Sequence, residues 1–331
     1  MQRISINFFR RLKRYFERHI EPVDVVVTWV DGNDPVHRRK REICFDNAMG
    51  GTVDAGNKFD NQERRYSDNG ELMICLYSII KHAQWVRRIY LVTDEQVPDI
   101  LEDPRLRGRV RVVDHKDIFR GYEDCLPTFN SIAIESMLWR VPGLANRFVY
   151  FNDDTFLCGK TEKSDFFDRN RRPLIKGRWV DNSPERVLSM HNEHYLRSAQ
   201  LMRMDGDVVF KPHHIACALD KKVLKKLFHR FNDEFVDNIS FQFRSRAQFW
   251  PMALHHNYLL SKGGQIYTKR DYQHFSIHFC LNASPVDVDR RMSGLKKKKI
   301  KLCCINLLPE VEKKSDSFWP VIQRVALGSG V

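Results

Sequence analysis

An Asn-Asp-Asp triplet at residues 152–154 follows the apolar run 148–151 and is the part of this sequence most suited to chemistry. Two adjacent carboxylates repel each other unless a cation or a shared proton offsets their charge. Carboxylate oxygens at the end of a strand are typical ligands of Mg²⁺ or Mn²⁺, and these metals usually bind substrate phosphates. Because Asn and Asp also favour turns, a plain turn that closes the strand is the alternative interpretation.

Alternating strands and helices must position this triplet. The hydrophobic pattern predicts strands at 23–30, 88–93, 110–114 and 148–151, and helices at 69–83 and 128–139. A loop is expected at 44–66, around two adjacent glycines. Buried strands separated by helices imply a mainly parallel sheet. We therefore predict an α/β fold with a Rossmann-like or GT-A-like core, helices on both faces of the sheet and a helical C-terminal part.

Acidic residues end three of the predicted strands. They are Asp31, Asp94 and the pair Asp153 and Asp154. Ligands of such sheets bind at the carboxyl ends of the strands. These acids are therefore expected to converge on one site.

The composition is that of a folded protein. The chain has 331 residues, of which 42% are hydrophobic, with room for one large or two medium domains. We find no apolar run near the roughly 20 residues that span a bilayer, and no secretory signal. The eight cysteines are scattered without a CxxC pair. This pattern predicts reduced, buried thiols in a cytoplasmic protein and no zinc site.

The net charge of +13 is concentrated in two segments. Residues 1–20 carry +5 and residues 290–301 carry +7, so the rest of the chain is close to neutral. Because a nucleic-acid-binding protein would spread its basic charge over the folded body, we predict no nucleic-acid partner. Residues 1–20 have the pattern of a basic amphipathic helix, which predicts peripheral binding to the anionic inner face of the cytoplasmic membrane. Alternatively, the helix at residues 1–20 packs on the body of the protein or forms a dimer. For Lys296–Lys299 three interpretations stay open: a second membrane contact, a contact with an anionic polymer, or a solvated loop.

Eight segments carry a family resemblance. They are DVVVTWVDGNDP at 24–35, RYSDNGEL at 65–72, WVRRIYLVTD at 85–94, PTFNSIAIE at 127–135, FNDDTF at 151–156, residues 214–220 with FRS at 243–245, FCLN at 279–282, and LPE at 308–310 through Ser315. Over residues 23–320 the chain resembles the Stealth proteins, and the first two conserved blocks are the most specific.

The resemblance implies an activity. Stealth proteins include sugar-1-phosphate transferases: bacterial enzymes that build phosphodiester-linked capsules and the animal lysosomal-enzyme N-acetylglucosamine phosphotransferase. This chain resembles the bacterial type. The implied reaction moves a sugar-1-phosphate from a UDP-sugar to a hydroxyl of a polysaccharide acceptor and releases UMP, with Mg²⁺ or Mn²⁺ as the expected cofactor. The implied organisation is a helix at 1–20, a catalytic domain at 21–320 with a nucleotide-binding half (23–160) and an acceptor or lid half (161–320), and a tail at 321–331.

The resemblance also implies catalytic residues. They are Asn152, Asp153, Asp154, His214 and Arg244. Asp154 is expected to be the general base or a metal-held carboxylate with Asp153 as its partner, and these two are the predicted metal ligands. His214 is expected to do acid–base work or to bind the transferred phosphate, with His213 as the alternative. Arg244 is expected to clamp phosphate oxygens.

Further residues are predicted to bind substrate. They are Thr28, Trp29, Asp31, Gly32, Asp34, Asp68, Asn69, Glu71, Asp94, Asn130, Ser131, Glu135, Arg246, His278 and Asn282. For Asp68, Asn69 and Glu71 the alternative is helix capping.

The fourth block departs from the family pattern. The family usually has Leu-Asn-Asp, whereas here Ala283 follows Asn282. Asp287 or Asp289 is a candidate replacement for the missing carboxylate. Two other functions stay open: a metal-dependent glycosyltransferase that releases UDP, and a non-catalytic protein that binds a membrane surface or a polysaccharide.

Overall fold

The computed structural model describes residues 21–49, 66–182, 189–297 and 299–328. Its ten strands are β1 Val23–Thr28, β2 Ile89–Thr93, β3 Val110–Asp114, β4 Arg147–Asn152, β5 Thr155–Leu157, β6 Gly177–Asp181, β7 Val208–Pro212, β8 Cys217–Asp220, β9 Tyr272–Phe275 and β10 Leu302–Ile305. The predicted basic helix at 1–20 lies outside the described residues.

Twelve α-helices accompany these strands within the described residues. They are α1 Pro35–Met49, α2 Glu71–His82, α3 His115–Ile118, α4 Ser131–Met137, α5 Met190–Leu201, α6 Lys221–Arg230, α7 Asn232–Ser240, α8 Pro251–Ser261, α9 Ile277–Asn282, α10 Pro285–Gly294, α11 Leu308–Lys314 and α12 Phe318–Ile322. Across the described segments, each helix is too short or too polar to cross a lipid bilayer.

The central sheet has five strands in the order β3-β2-β1-β4-β8. The first four are parallel, and β8 runs antiparallel to β4. Alternate side chains of β1 enter different cores: Val25 and Val27 pack with α2 on one face, and Val26 packs with α4 and α6 on the other. The prediction of a mainly parallel α/β sheet with helices on both faces is confirmed.

A buried carboxylate fixes the amino end of β1. Asp24 is 0% exposed. It accepts hydrogen bonds from Arg87 at 2.8 and 2.6 Å and from the amide of Ala145 at 2.7 Å. Because Arg87 precedes β2 and Ala145 precedes β4, one side chain ties three neighbouring strands together.

The second sheet joins distant parts of the chain. Its order is β5-β10-β9, with β10 antiparallel to β5 and parallel to β9. β8 also adds to the central sheet from the second half of the chain. Strands from residues 161–320 therefore pair with strands from residues 23–160 in both of these sheets.

Two predicted boundaries differ from the structure. α1 continues to Met49, so the expected loop at 44–66 begins later than predicted. The expected tail at 321–331 is helical as far as Leu327, through the end of α12 and a π-helical turn at Gln323–Leu327. This segment packs on α2, where Lys81 Nζ donates to the carbonyl of Arg324 at 2.7 Å. The helical C-terminal part is confirmed, and the eight cysteines are free thiols.

Candidate active site

The Asn-Asp-Asp triplet forms a tight turn between β4 and β5. Thr155 Oγ1 donates to the carbonyl of Asn152 at 2.7 Å, and the amide of Asp154 donates to Asp153 Oδ1 at 3.0 Å. The amide of Ile305, at the end of β10, donates to the carbonyl of Asp154 at 3.0 Å. Both carboxylates stay partly exposed. The turn is therefore fixed through its backbone, which leaves the side chains available for chemistry.

Asp154 lies in a polar cluster with three residues from later in the chain. Asn306 Nδ2 donates to Asp154 Oδ2 at 2.8 Å, and His214 Nε2 lies 3.6 Å from the same oxygen. His274 Nε2 donates to Asn306 Oδ1 at 2.7 Å. His274 comes from β9, Asn306 follows β10, and His214 lies between β7 and β8. The structure therefore brings the predicted His214 to the predicted Asp154.

The surroundings shift the pKa values of the two carboxylates in opposite directions. Burial alone would raise the pKa of Asp154, but the hydrogen bond and charge of His214 outweigh it, and that pKa is lowered. Burial also opposes the charged form of His214, yet Asp154 raises its pKa. For Asp153, burial and then the charge of Asp154 hold the pKa well above its ordinary value. Asp154 and His214 therefore each favour the charged form of the other, beside a carboxyl group that favours its protonated form.

Two more acids face Asp153. The charges of Glu71 and Asp68 both raise its pKa. Asp68 Oδ2 accepts from Trp29 Nε1 at 2.8 Å, and Glu71 accepts from the amide of Asn69. Burial, with a contribution from Asp68, raises the pKa of Glu71 to about 7.

The capping alternative for these residues is not supported. Gly70, with φ of 99°, is the N-cap of α2, and no side chain caps that helix. Asp68 Oδ1 accepts from the amide of Gly70 at 2.9 Å, ahead of the first turn. Asp68 and Glu71 thus add to the acidic side of the site.

The exit of β1 is held by tight backbone contacts. Asp31 exchanges two 2.9 Å hydrogen bonds with the side chain of Gln96, and Asp34 Oδ1 accepts from the amide of His37 at 2.8 Å. The amide of Gly32 donates to the carbonyl of Tyr66 at 2.6 Å. A Cβ on Gly32 would lie 2.4 Å from that carbonyl oxygen. Only glycine permits this approach, which sets the position of the segment that leads to Asp68.

Asp94 does not join the other acids. It is buried at the end of β2, and Lys40 Nζ lies 3.4 Å from its Oδ2. Its charge acts on His37 and His115 rather than on Asp153. The acids whose charges act on Asp153 are thus Asp154, Glu71 and Asp68.

Glu135 is a buried carboxylate that is hydrogen-bonded to Tyr150 and Trp250. It is 3% exposed, and its two oxygens accept from Tyr150 Oη at 3.0 Å and from Trp250 Nε1. Tyr150 Oη also lies 2.9 Å from Thr28 Oγ1 and within hydrogen-bonding distance of Asn152 Oδ1. Both oxygens are thus hydrogen-bonded inside the protein, and Glu135 orients Tyr150 next to Thr28 and Asn152.

Asn130 is a second predicted substrate residue with a structural position. It is 0% exposed and caps α4 through a hydrogen bond from the amide of Ile132 to Oδ1. Its Nδ2 donates at 2.9 Å both to the carbonyl of Phe241 and to Gln248 Oε1. Its polar atoms are therefore used within the fold.

The two predicted arginines differ in their surroundings. Arg244 Nη2 donates to Ser131 Oγ at 2.6 Å, and its charge acts on both His214 and Glu135. Arg246 Nη1 pairs with Glu193 Oε1 on α5 at 2.7 Å. Arg244 is thus the arginine whose charge acts on the polar cluster around Asp154.

His213 is not part of that cluster. Its Nε2 lies 3.0 Å from Tyr272 Oη. Burial, with a smaller effect from Arg178, lowers the pKa of His213 to about 4. His214 is therefore the histidine that pairs with Asp154.

The fourth-block residues lie on the surface of α9 and α10. His278 and Asn282 are exposed, and Asn282 Nδ2 donates to the carbonyl of His278. Asp287 binds Ser284 and Arg290, whereas Asp289 accepts from Ser315 and Ser317. Asp287 is therefore bonded within α10, and Asp289 is bonded to two serines between α11 and the start of α12. The polar partner of Asp154 is instead Asn306, which sequence reasoning missed although it also ends an apolar run at 302–305.

The donor atoms fit a hard divalent cation. Asp154 Oδ1 is buried without a hydrogen-bond partner, next to the carboxylate of Asp153. Asp154, His214 and Cys304 also offer atoms within 4.8 Å of one another. Burial and then the charge of Asp154 raise the pKa of the Cys304 thiol well above its ordinary value, which disfavours a thiolate ligand. The oxygens of Asp153 and Asp154 therefore suit Mg²⁺ or Mn²⁺ better than the mixed set suits a softer metal.

Comparison with known proteins finds conserved regions of Stealth proteins and several polysaccharide phosphotransferases. Residues 21–44 match the model of Stealth protein conserved region 1, and residues 65–175 match that of conserved region 2. Two exopolysaccharide phosphotransferases of Streptomyces coelicolor are 36% identical over 254 residues (74% of this chain, 40% of the relative) and 33% identical over 304 residues (83% and 50%). The capsular polysaccharide phosphotransferase WcwK of Streptococcus pneumoniae is 37% identical over 164 residues (50% and 47%). The chain thus spans half or less of the length of these relatives.

A solved structure of the galactosyltransferase LgtC with donor and acceptor sugar analogs aligns with 85% of this chain and 86% of its own, at a TM-score of 0.40 and 12% identity. The matched conserved regions contain Asp31, Asp68, Asp153 and Asp154, whereas His214 lies beyond them. The chain therefore belongs to the Stealth family.

Proposed function

We propose that this protein transfers a sugar-1-phosphate from a UDP-sugar to a hydroxyl of a capsular or other cell-surface polysaccharide, and releases UMP. The observation that carries the proposal is the Asp154–His214 ion pair beside Asp153, with Arg244 on the same side, at the carboxyl end of the parallel strands. The names of its relatives, which are phosphotransferases of exopolysaccharides and capsules, support the same reaction class.

The reaction exchanges one phosphorus–oxygen bond for another. The acceptor oxygen bonds to the phosphorus that carries the sugar, and the bond from that phosphorus to the bridging oxygen of the diphosphate breaks. UMP leaves with the bonding electron pair, and the acceptor hydroxyl gives up its proton. Because the bond between sugar C1 and its oxygen is untouched, the anomeric configuration is retained.

The residues have distinct parts in this proposal. His214, held charged by Asp154, and Arg244 bind the oxygens of the transferred phosphoryl group, where negative charge must be stabilised. Asn306 fixes the Asp154 carboxylate that orients His214. The acidic side formed by Asp68 and Glu71 receives the proton of the incoming hydroxyl, directly or through water.

The oxygens of the turn would suit a divalent cation. Asp153 and the free Oδ1 of Asp154 would hold it, and it would supply charge neutralisation on the diphosphate. The proposed membrane contact of residues 1–20 rests on their sequence alone and would keep the enzyme near a growing polymer.

The experiment is to incubate the protein with a panel of UDP-sugars, Mg²⁺ and a capsule oligomer, and to identify the nucleotide and the phosphodiester formed. UMP together with a new ³¹P phosphodiester signal supports the proposal. UDP release would show a glycosyltransferase instead, and no turnover with any donor would favour a binding protein. Asp154→Asn should abolish the reaction, whereas Asp287→Asn, an exposed acid outside the cluster, should leave it unchanged.

A further inference from the structure

A second cavity lies at the opposite edge of the central sheet. Its volume is about 760 Å³. Val23 and Arg147, which begin β1 and β4, line it, whereas Asp153 and Asp154 follow the far end of β4. Pockets of roughly 300–1,000 Å³ enclose small ligands. This cavity therefore has room for a short stretch of a polymer, well separated from the reacting groups.

The cavity is strongly basic. Its lining contains six cationic side chains and two acidic ones, a net charge of +4. The cations are Arg147, Lys163, Arg169, Arg171, Arg172 and Lys269. Outside the two basic segments at 1–20 and 290–301 the whole chain carries only +1. The lining is thus more basic than the chain outside those two segments taken as a whole.

Not all of these cations are neutralised by the protein. Arg147 pairs with Asp220 at 2.7 Å, Arg172 pairs with Asp168 at 3.0 Å, and Arg171 pairs with Glu21. Arg169 and Lys269 are exposed and have no ion-pair partner in the part of the chain that the structure describes. These two side chains are available to an anionic ligand.

The neutral groups of the lining suit a sugar. Asn170, Gln265 and Thr268 are exposed amide and hydroxyl groups, and the ring of Tyr267 is partly exposed. Aromatic faces and side-chain amides are the groups with which proteins hold sugar rings and hydroxyls. None of the exposed large apolar side chains among the described residues belongs to this lining, which disfavours insertion into a membrane.

We propose that this cavity is an exosite that binds a phosphodiester-bearing stretch of the glycan polymer while another part of the polymer is extended at the active site. The proposal rests on the proposed function, because that reaction makes an anionic, phosphodiester-linked glycan. The chain's own residues 1–20 are a poor occupant, since they carry +5 and the cavity carries +4.

The test uses the full chain and a double variant, Arg169→Ala with Lys269→Ala. Binding is measured, in the Asp154→Asn background so that no turnover occurs, to a phosphodiester-linked oligosaccharide and to an uncharged oligosaccharide of the same length. Linear polyphosphate and anionic lipid vesicles are measured in parallel. We expect the double variant to bind the phosphodiester oligosaccharide roughly tenfold more weakly, which corresponds to about 1.4 kcal/mol.

Two matched variants serve as controls. Arg107→Ala with Lys222→Ala removes two exposed cations outside the lining and should leave affinity unchanged. Arg169→Lys with Lys269→Arg keeps the charge and should keep most of the affinity. The wild-type affinity should also fall as salt rises.

Several results would overturn the exosite. They are equal affinity of the wild type and the double variant, binding of the uncharged oligosaccharide as tight as that of the charged one, polyphosphate bound as tightly as the phosphodiester oligosaccharide, or a loss confined to lipid vesicles. Turnover tests the proposed function separately: a wild type that binds the polymer through Arg169 and Lys269 but releases no UMP would refute the reaction and leave the exosite standing.

Discussion

Asn306→Asp tests the geometry of the catalytic cluster most directly. In the structure Asn306 Nδ2 donates to Asp154 Oδ2 at 2.8 Å, while Oδ1 accepts from His274 Nε2 at 2.7 Å. An aspartate has the same shape and keeps the acceptor for His274. It loses the donor to Asp154 and sets a second carboxylate against the first.

The cost follows from these contacts. A hydrogen bond to a charged group contributes about 1.5–3 kcal/mol. Two unit charges about 4 Å apart repel by about 4 kcal/mol at an effective dielectric of about 20, and proton uptake by one carboxylate limits that cost. A loss of about 2–4 kcal/mol in transition-state stabilisation corresponds to a fall in rate of roughly 30- to 1,000-fold.

The assay is the initial rate of UMP release, with thermal unfolding measured in parallel to show that the variant is folded. Asn306→Ala should also slow the reaction, since it removes both contacts. Asn282→Asp is the matched control, because Asn282 is exposed on α9 and was the sequence-based candidate. If Asn306→Asp retained its rate within twofold while Asn282→Asp lost it, our placement of the site would be refuted.

Three further predictions concern stability. Asp24→Asn should lower the free energy of unfolding, measured in urea titrations, by about 2–3 kcal/mol. This cost is below the usual value of about 3–5 kcal/mol for breaking a buried ion pair, because Arg87 is 42% exposed and can regain water. A loss under about 0.5 kcal/mol would contradict this prediction. Gly32→Ala should cost about 1–3 kcal/mol and lower the transfer rate, because its Cβ would overlap facing backbone, whereas Gly206→Ala, with open space around it, should do neither. Burial lowers the pKa of His115 to about 4 from an unfolded value near 6.5. Between about pH 4 and 6.5 the unfolded state therefore binds more protons than the folded state. The stability that comes from keeping His115 neutral is present above about pH 6.5, and it is lost by up to about 1.4 kcal/mol per pH unit as the pH falls toward 4. His115→Leu should flatten that fall in thermal melts between pH 5 and 7.5, and an unchanged slope would contradict the assignment.

Local patterns were enough to predict the parallel strands of the central sheet. β1, β2 and β4 are short runs of buried β-branched and aromatic residues, and their hydrophobicity marks them without further information. His214 and Arg244 came from family resemblance, and the structure places both near Asp154 or Glu135.

What could not be predicted depends on contacts between distant residues. Asp94 reads as a free acid at a strand end, but Lys40, 54 residues earlier, neutralises it. Glu135 was predicted to bind substrate, but it accepts a hydrogen bond from Trp250, 115 residues later in the chain, which its own segment does not reveal. Gly50 and Gly51 suggested a loop from residue 44, although α1 runs on to Met49. In each case tertiary packing decides what the local sequence leaves open.

Because β5 pairs with β10, the turn at Asp154 acquires its full set of contacts only after a much later part of the chain has been synthesised. Until Ile305 and Asn306 have left the ribosome, the Asp154 turn lacks its backbone lock and its amide partner. A nascent or truncated polypeptide that contains only the two recognised conserved regions consequently lacks both of these contacts. Any shortened version of this protein that is meant to keep these contacts must include the chain through residue 306, and a split-protein reporter could use β10 as its switch.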